Sequence, residues 1–338
     1  MNFKEKLLMA IEKLKLARQV SVKVTARLHM GFFDLNGSIG RRFGSIGLSL
    51  DAPVTEIKMQ VIESAQIKLQ NDERVAKIVQ NFITSFNLQK NFNVDCIQEI
   101  PKHAGLGSGT QMTLAIGNAI NLLCGLDLSL QQIAVVAQRG ARSGIGVGTF
   151  EYGGMVVDAG RGATTHVPPV IARAAFPKNW RILLIFDSSN VGTHGEQELN
   201  AFRTLPNSTL ISAEKLSHRI LMQALPALAE QDLVNFGTAI RQLQHYTGEY
   251  FAPIQGGIYA SQSVGQALNY LESQGVTCFG QSSWGPTGFA IFANQTDAEM
   301  HSRQLEIQFK NNSSLTFQIC CGLNRGAQIT VDNDINIK

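Results

Sequence analysis

The chain has 338 residues, 44% of them hydrophobic and 16% charged, which is the make-up of a globular protein long enough for two domains. A net charge of +3 is too small to point to nucleic acid and leaves the basic residues free to serve small anions. Five cysteines without regular spacing exclude a disulfide framework and a C-x-x-C zinc site, so reduced thiols in a cytoplasmic protein are expected.

Lysines alternate with apolar residues over positions 3–16, without the uninterrupted apolar core of a secretory signal, so residues 1–19 are expected to form a separate amphipathic helix. No run approaches the roughly 20 apolar residues that cross a bilayer, so no membrane partner is expected. Val20, Val22, Val24, Ala26 and Leu28 then alternate with Ser21, Lys23, Thr25 and Arg27, a half-buried strand that gives out in a hairpin-like turn over 29–37. Arg27, His29 and Asp34 gather at that end, either as ordinary polarity or as a ligand mouth lined by a cation, an imidazole and a carboxylate. Arg41 and Arg42 follow among glycines, in a solvated loop or as a guanidinium fork for phosphate. Residues 48–50 read as a short strand stopped by Asp51-Ala52-Pro53, and 55–61 as another. A helix over 72–86 shows one apolar face, and 94–100 form a strand.

That strand runs into Pro101-Lys102-His103-Ala104-Gly105-Leu106-Gly107-Ser108-Gly109-Thr110, and an amphipathic helix carrying Met112, Ile116, Ala119, Ile120 and Leu123 leads out to Gly125. Alternate glycines let backbone N–H groups converge, and the helix start adds unpaired donors, so the stretch is either a tight turn or an anion cradle. It matches neither a Walker loop nor the Rossmann G-x-G-x-x-G turn. Ser129-x-x-Gln132 is a capping box opening the next helix. A second glycine-rich turn holds Arg142, Ser143, Gly144 and Gly146, before Glu151 and a strand over 155–158. Composition shifts to Gly, Pro, Thr and Arg over 159–178, which sets a boundary between domains at 20–170 and 171–338. Beyond it, strands at 181–186, 276–279, 289–292 and 315–320 interleave with helices at 196–202, 212–223, 227–245, 257–273 and 297–309, the pattern of a split βαβ, ferredoxin-like layer. A third glycine-rich loop, 280–288, carries Ser283 and Trp284.

Taken together, the loop Pro101-x-x-x-Gly105-Leu106-Gly107-Ser108-Gly109 and the late loop 282–288 resemble the signatures of the GHMP kinase superfamily over nearly the whole chain. The resemblance implies an α+β protein with an N-terminal domain of the ribosomal-protein-S5 type and a ferredoxin-like C-terminal domain. Where many such kinases have Ser-Gly-x-Asp, with the aspartate as base, this chain reads Ser143-Gly144-Ile145-Gly146, and glycine takes no proton. Stretches around Arg27–His29–Asp34, Gly44–Gly47, Gly105–Gln111, Arg142–Gly146, Gln255–Gly257 and Gln281–Thr287 are similar to a non-kinase branch, the β-ribofuranosylaminobenzene 5′-phosphate synthases.

That branch implies condensation of phosphoribosyl pyrophosphate with 4-aminobenzoate, or 4-hydroxybenzoate, with loss of CO₂ and pyrophosphate, in tetrahydromethanopterin biosynthesis by a cytoplasmic homodimer using Mg²⁺. On this resemblance, residues 105–110 cradle the pyrophosphate with Ser143, Gly144 and Gly146 beside them, and Ser108 or Thr110 lies near the metal. Arg41 or Arg42 holds the 5′-phosphate, Arg27 orients the benzoate, His29 handles a proton or bonds the sugar or arene, Asp34 or Glu151 binds metal or ribose, and Ser283 and Trp284 border the arene. An ATP-dependent small-molecule kinase and a non-catalytic anion binder are the alternatives.

Overall fold

The computed structural model describes residues 19–62, 72–192 and 195–332; the N-terminal helix expected over 1–19 falls almost wholly outside them. Strand β1, Gln19–Asp34, pairs along its length with β2, Gly44–Ile62, from Gln19↔Gln60 to Asp34↔Gly44. Strand β3 (Asn91–Gln98) joins the far half of β2, and β4 (Met155–Asp158) and β5 (Val170–Ala174) extend the near half. Helices α1 (Glu73–Ser85), α2 (Ser108–Cys124), α3 (Leu130–Val136) and α4 (Ile145–Tyr152) cover one face of this antiparallel sheet. Ser129 and Gln132 form the expected capping box at the start of α3. The apolar face of α2 is sealed against the strands: Met112, Ile116, Ala119, Ile120 and Leu123 are wholly buried. Each large side chain among them stabilises the packing by roughly 1.5–3 kcal/mol, so the start of α2 is firmly anchored.

A second antiparallel sheet is built from β6 (Arg181–Asp187), β7 (Cys278–Gln281), β8 (Gly288–Phe292) and β9 (Leu315–Cys320), in the order β7-β8-β6-β9. That is the strand order of the split βαβ layer expected from the interleaving. The helix α5 (Gly195–Thr204), then α6 (Leu210–Arg219), a π turn at Ile220–Ala224, α7 (Leu225–Glu230) and α8 (Leu233–Gln255) intervene before α9 (Gln262–Ser273). Helices α9 and α10 (Gln295–Gln308) pack on one face of the sheet. On the other, Leu216, Ile220, Phe236, Ile240 and Leu243 share one core with Leu28 and Met30 of β1 and Ile182 and Leu184 of β6. The two sheets are thereby held by a common interior.

Three expectations are corrected. Asp51-Ala52-Pro53 does not stop a strand: β2 runs through it, because a register shift between Thr25 and Arg27 of β1 absorbs the irregularity where Pro53 lacks an N–H. The boundary at residue 170 cuts β5, which belongs to the first sheet. Strand β10 (Gln328–Asp332) returns to pair with β1, so the chain's last described segment is part of the first sheet too.

Candidate active site

The loop before α2 turns the carbonyls of His103, Gly105 and Leu106 inward onto neighbouring segments. Arg27 donates from its backbone N to Leu106 O (3.1 Å) and from Nη1 to Gly105 O (2.5 Å). Ser282 Oγ also donates to Gly105 O (2.8 Å), and Gly192 N donates to His103 O (3.3 Å). Among the described residues, no acceptor meets the N–H groups of residues 105–110, nor any partner the hydroxyls of Ser108 and Thr110. Gly107, at φ +84°, takes the cap position of α2 without a capping side chain. Gly105, at φ +73°, lies so close to the carbonyls of Ser282 and Gly285 that a Cβ has no room. Free amides at a helix start with its positive dipole end make a seat for an anion.

Arginines ring this seat. Arg27 packs under Gly107, its Cγ and Nε 3.2 Å from where a Cβ would stand. Burial lowers its pKa to about 10, with Glu198 acting in the opposite sense. Arg142 pairs with Glu198 (2.7 Å) and lies over the Phe202 ring at 4.9 Å, tying α5 to the second glycine-rich turn. The guanidinium of Arg139 stands 3.7 Å from the Cβ position of Gly109, at the solvent side. Arg139→Gln is expected to weaken the binding of inorganic pyrophosphate about tenfold, an effect that shrinks as salt is added, and to leave thermal stability within about 0.5 kcal/mol. Pyrophosphate binding indifferent to both the substitution and the salt would remove Arg139 from the site.

The second turn packs directly on the first. Gln111 Nε2 donates to Gly146 O (2.9 Å), and a Cβ on Gly146 would stand 2.9 Å from Thr110 Cγ2. The methyl of Thr110 thus takes the space that a side chain at position 146 would need, so the missing acid is built into the helix contact. Ser143, Gly144 and Ser45 are bound to a residue that sequence reading missed. Asp158 Oδ2 accepts from Ser45 Oγ (2.5 Å), Ser143 Oγ (3.1 Å) and Gly144 N (3.0 Å), and Oδ1 from Gly160 N (2.7 Å). Burial raises the Asp158 pKa to about 6 despite these donors. The folded chain therefore holds this proton more tightly than the unfolded one, whose value is near 3.8. The associated stability is full below pH ~3.8 and is lost as pH rises through ~6, an expected difference of roughly 3 kcal/mol. Urea unfolding from pH 4 to 7 should show this fall relative to Asp158→Asn; parallel profiles would mean an ordinary carboxyl.

His29 lies two residues beyond Arg27 on the same face of β1. It is 4% exposed, and neither ring nitrogen has a hydrogen-bond partner. Burial and then the charge of Arg27 push its pKa down to about 3, so the imidazole is neutral. Its backbone is clamped to the third loop: His29 N donates to Ser282 Oγ (3.1 Å), and Ser283 N donates to His29 O (2.9 Å). The same Ser282 hydroxyl therefore joins His29 to the anion seat. Beside His29, Trp284 lies against Phe251 with the rings tilted by 32° (centroids 3.9 Å apart) and meets Phe202 edge-on at 5.5 Å, forming an aromatic wall with Phe32.

Thus Arg27, His29, residues 105–110, Gly146, Ser283 and Trp284 converge, while the Ser143 hydroxyl and the Gly144 amide are held by Asp158. The remaining candidates are engaged elsewhere. Asp34 Oδ1 accepts from Asn36 N and Gly37 N and shapes the β1–β2 turn. Arg41 is spent on the carbonyls of Ala159 (2.9 Å) and Gly160 (2.7 Å). Arg42 lies over Phe43 and donates to Tyr250 OH (3.2 Å). Glu151 is exposed at the far end of α4, accepting from Gln131 Nε2 (3.2 Å), and is not brought to the seat. Among the described residues no group of three or more His, Cys, Asp or Glu could hold a metal, and no helix is long and apolar enough to cross a membrane.

Comparison with known proteins gives the family and the fold. The family described as GHMP kinases N terminal domain matches residues 73–154, and GHMP kinases C terminal matches residues 224–311. Among solved structures, homoserine kinase from Cytophaga hutchinsonii superposes with TM-score 0.66 at 16% identity, covering 92% of this chain and 97% of that one. Mevalonate diphosphate decarboxylase from Enterococcus faecalis gives 0.65 at 16% identity, covering 93% and 99%. These likenesses establish the fold. Closer in sequence are two proteins named beta-ribofuranosylphenol 5′-phosphate synthase. That of Archaeoglobus fulgidus is 34% identical over 282 residues, 80% of this chain and 87% of the relative. That of Methanocaldococcus jannaschii is 33% identical over 301 residues, 80% and 88%. With both GHMP segments present and relatives this similar over most of their length, the chain belongs to the β-ribofuranosylphenol 5′-phosphate synthase family, a branch of the GHMP kinase superfamily.

Proposed function

We propose that this enzyme transfers the 5-phosphoribosyl group of phosphoribosyl pyrophosphate to the carboxylate-bearing carbon of 4-hydroxybenzoate or 4-aminobenzoate. Carbon dioxide and pyrophosphate leave, and the C-riboside formed serves tetrahydromethanopterin biosynthesis, in the cytoplasm and as a homodimer. The observation that carries the reading is the acceptor-free amide seat at residues 105–110, among the described residues, beside a Gly146 that cannot act as a kinase base.

The chemistry asks for little more than electrostatics and alignment. Departure of pyrophosphate leaves positive charge at the anomeric carbon, and the developing charge on the leaving group is met by fixed N–H donors and by Arg139 and Arg142. The 5′-phosphate goes to Arg139 or Arg142, since Arg41 is engaged with backbone carbonyls. Arg27 orients the benzoate carboxylate, and the wall of Trp284 and Phe251 aligns the ring. The sugar cation is the electron sink for decarboxylation, so the ring regains aromaticity without an organic cofactor.

The donor set suits Mg²⁺ carried mainly by pyrophosphate oxygens. Ser108 and Thr110 offer unpartnered hydroxyls and Glu198 a carboxylate near Arg27, and no protein cage is needed for this cation. When bound it would neutralise charge on the leaving group.

The test is incubation with phosphoribosyl pyrophosphate, Mg²⁺ and carboxyl-labelled 4-hydroxybenzoate or 4-aminobenzoate. Labelled CO₂ released in step with pyrophosphate is the expected result. ATP-dependent phosphorylation of a small alcohol would replace this reading with a kinase, and binding without turnover with an anion carrier.

A further inference from the structure

We infer that the enclosed cavity beside His29 is the seat of the arene's para-hydroxyl, with Trp284 Nε1 donating to its oxygen, His29 accepting its hydrogen and Thr247 Oγ1 completing the set. This rests on the reaction proposed above. The cavity lies where β1, α8 and the loop after β7 meet, and measures about 10 Å³. That is room for one water-sized group and not for a ring.

Its buried glutamine amides are paired. Gln244 Nε2 donates to Met30 O and Gln281 O, and its Oε1 accepts from Gln281 N. Gln281 Oε1 accepts from Ala260 N, and Gln255 Nε2 donates to Gly257 O and Ile258 O. Against that background His29 Nδ1 and Nε2, Thr247 Oγ1 and Trp284 Nε1 stand buried without partners, in residues 4%, 7% and 3% exposed. Buried polar atoms are almost always satisfied, so a cluster of them lining one cavity marks a place where a ligand group completes the bonding.

The set of donors and acceptors is selective. An indole nitrogen only donates, a neutral imidazole offers one acceptor, and a hydroxyl does either. A phenol oxygen takes the indole N–H with a lone pair and gives its hydrogen to the imidazole. An arylamine brings two hydrogens and a lone pair drawn into the ring, so it leaves Trp284 N–H unmatched. The direction of the ring is also set: Arg27 and His29 pair in regular register opposite Ser49 and Gly47. They are two residues apart, about 6.6 Å along a strand, the scale of a para-substituted benzoate from carboxylate to hydroxyl. The carboxylate end then lies at the anion seat and the hydroxyl end in the cavity.

The step balances. The carboxylate-bearing ring carbon bonds to C1 of the sugar as the C1–oxygen bond to pyrophosphate breaks. The hydroxyl proton passes to His29 and the ring becomes a dienone. The carbon–carboxylate bond then breaks, CO₂ leaves, the electron pair re-enters the ring, and His29 returns the proton to oxygen. A weakly basic imidazole suffices, because the hydroxyl becomes strongly acidic only once the ring has been attacked.

Thr247→Val and Trp284→Phe test the assignment by CO₂ release and by calorimetric binding of 4-hydroxybenzoate to protein holding Mg²⁺ and pyrophosphate. The wild type is expected to favour 4-hydroxybenzoate over 4-aminobenzoate by about tenfold or more in kcat/KM, the penalty of one unpaired buried donor. Trp284→Phe should bring the two acids to near parity. Thr247→Val, which removes only an unsatisfied hydroxyl, should weaken 4-hydroxybenzoate about tenfold, leave the KM of phosphoribosyl pyrophosphate unchanged and not lower Tm. Binding and acid preference unaltered in both variants would mean that the cavity holds a trapped water only. Binding that depends on Thr247 without any CO₂ from the wild type would instead overturn the reaction and keep the cavity.

Discussion

Gly107→Val is expected to cut kcat/KM by at least about 10³-fold while the protein remains folded. At φ +84° a β-branched residue is held in a backbone region it rarely enters, at a cost of about 1–3 kcal/mol. Its Cβ would stand 3.2 Å from Arg27 Cγ and Nε, and the branched methyls beyond it must displace the guanidinium or fill the space before the amides. Losing a single preorganised donor to a developing anion lowers turnover by about 10²–10³, and here several amides lose access together. Gly275 supplies the control. It has φ +84° with nothing within 4 Å of its Cβ position, at the exposed end of α9. Gly275→Val should lose similar stability in urea and keep its activity. If Gly107→Val turned over normally, or lost no more than Gly275→Val, pyrophosphate would not sit on these amides.

How much of this site could be read beforehand follows from which interactions are local. The glycines at 105 and 107 were legible because a positive φ leaves its mark on the residue itself. The face of α2 and the alternation of β1 over 20–28 were legible because burial imposes a period on the sequence, and the α3 capping box because both partners lie within one turn, whereas the continuation of β1 to Asp34 was not. The split βαβ order followed from the alternation of strands and helices. Asp158, Glu198 and Thr247 carry no such mark. Asp158 sits at a strand end like many surface aspartates, and only the approach of Ser45 and Ser143 gives it a role. Thr247 looks like any helical threonine until α8 is laid against β1, with Gly31 close enough that a Cβ there would reach 2.9 Å from its hydroxyl. Arg41 misled for the converse reason: an arginine among glycines suits phosphate in one fold and backbone carbonyls in another, and only the return of residues 159–160 decides. Local physics exposed the glycine turn at 105–107; the groups around it depended on contacts between distant segments.

Arg27→Ala is expected to lower kcat/KM with the benzoate by about 10²–10³-fold, in the range for removing one member of a buried, hydrogen-bonded charge pair. The side chain has two separable tasks. Structurally, Nη1 donates to Gly105 O, but Ser282 Oγ donates to the same oxygen and the backbone N of residue 27 holds Leu106 O whatever the side chain. The loop should therefore keep its shape, and the lost stability should stay near the ~1 kcal/mol of one hydrogen bond. Chemically, the guanidinium is a cation taken out of water, as its lowered pKa records, with no acidic group in direct contact among the described residues. A substrate carboxylate is the partner that would compensate it. The KM for 4-hydroxybenzoate should accordingly rise much more than that for phosphoribosyl pyrophosphate, which keeps the amides, Arg139 and Arg142. Arg27→Lys should recover only part of the loss, because an ammonium cannot grip Gly105 O and a carboxylate with one planar fork. If Arg27→Ala instead weakened both substrates equally, with Tm falling by many degrees, Arg27 would be a strut for the loop and the benzoate carboxylate would have to be held elsewhere.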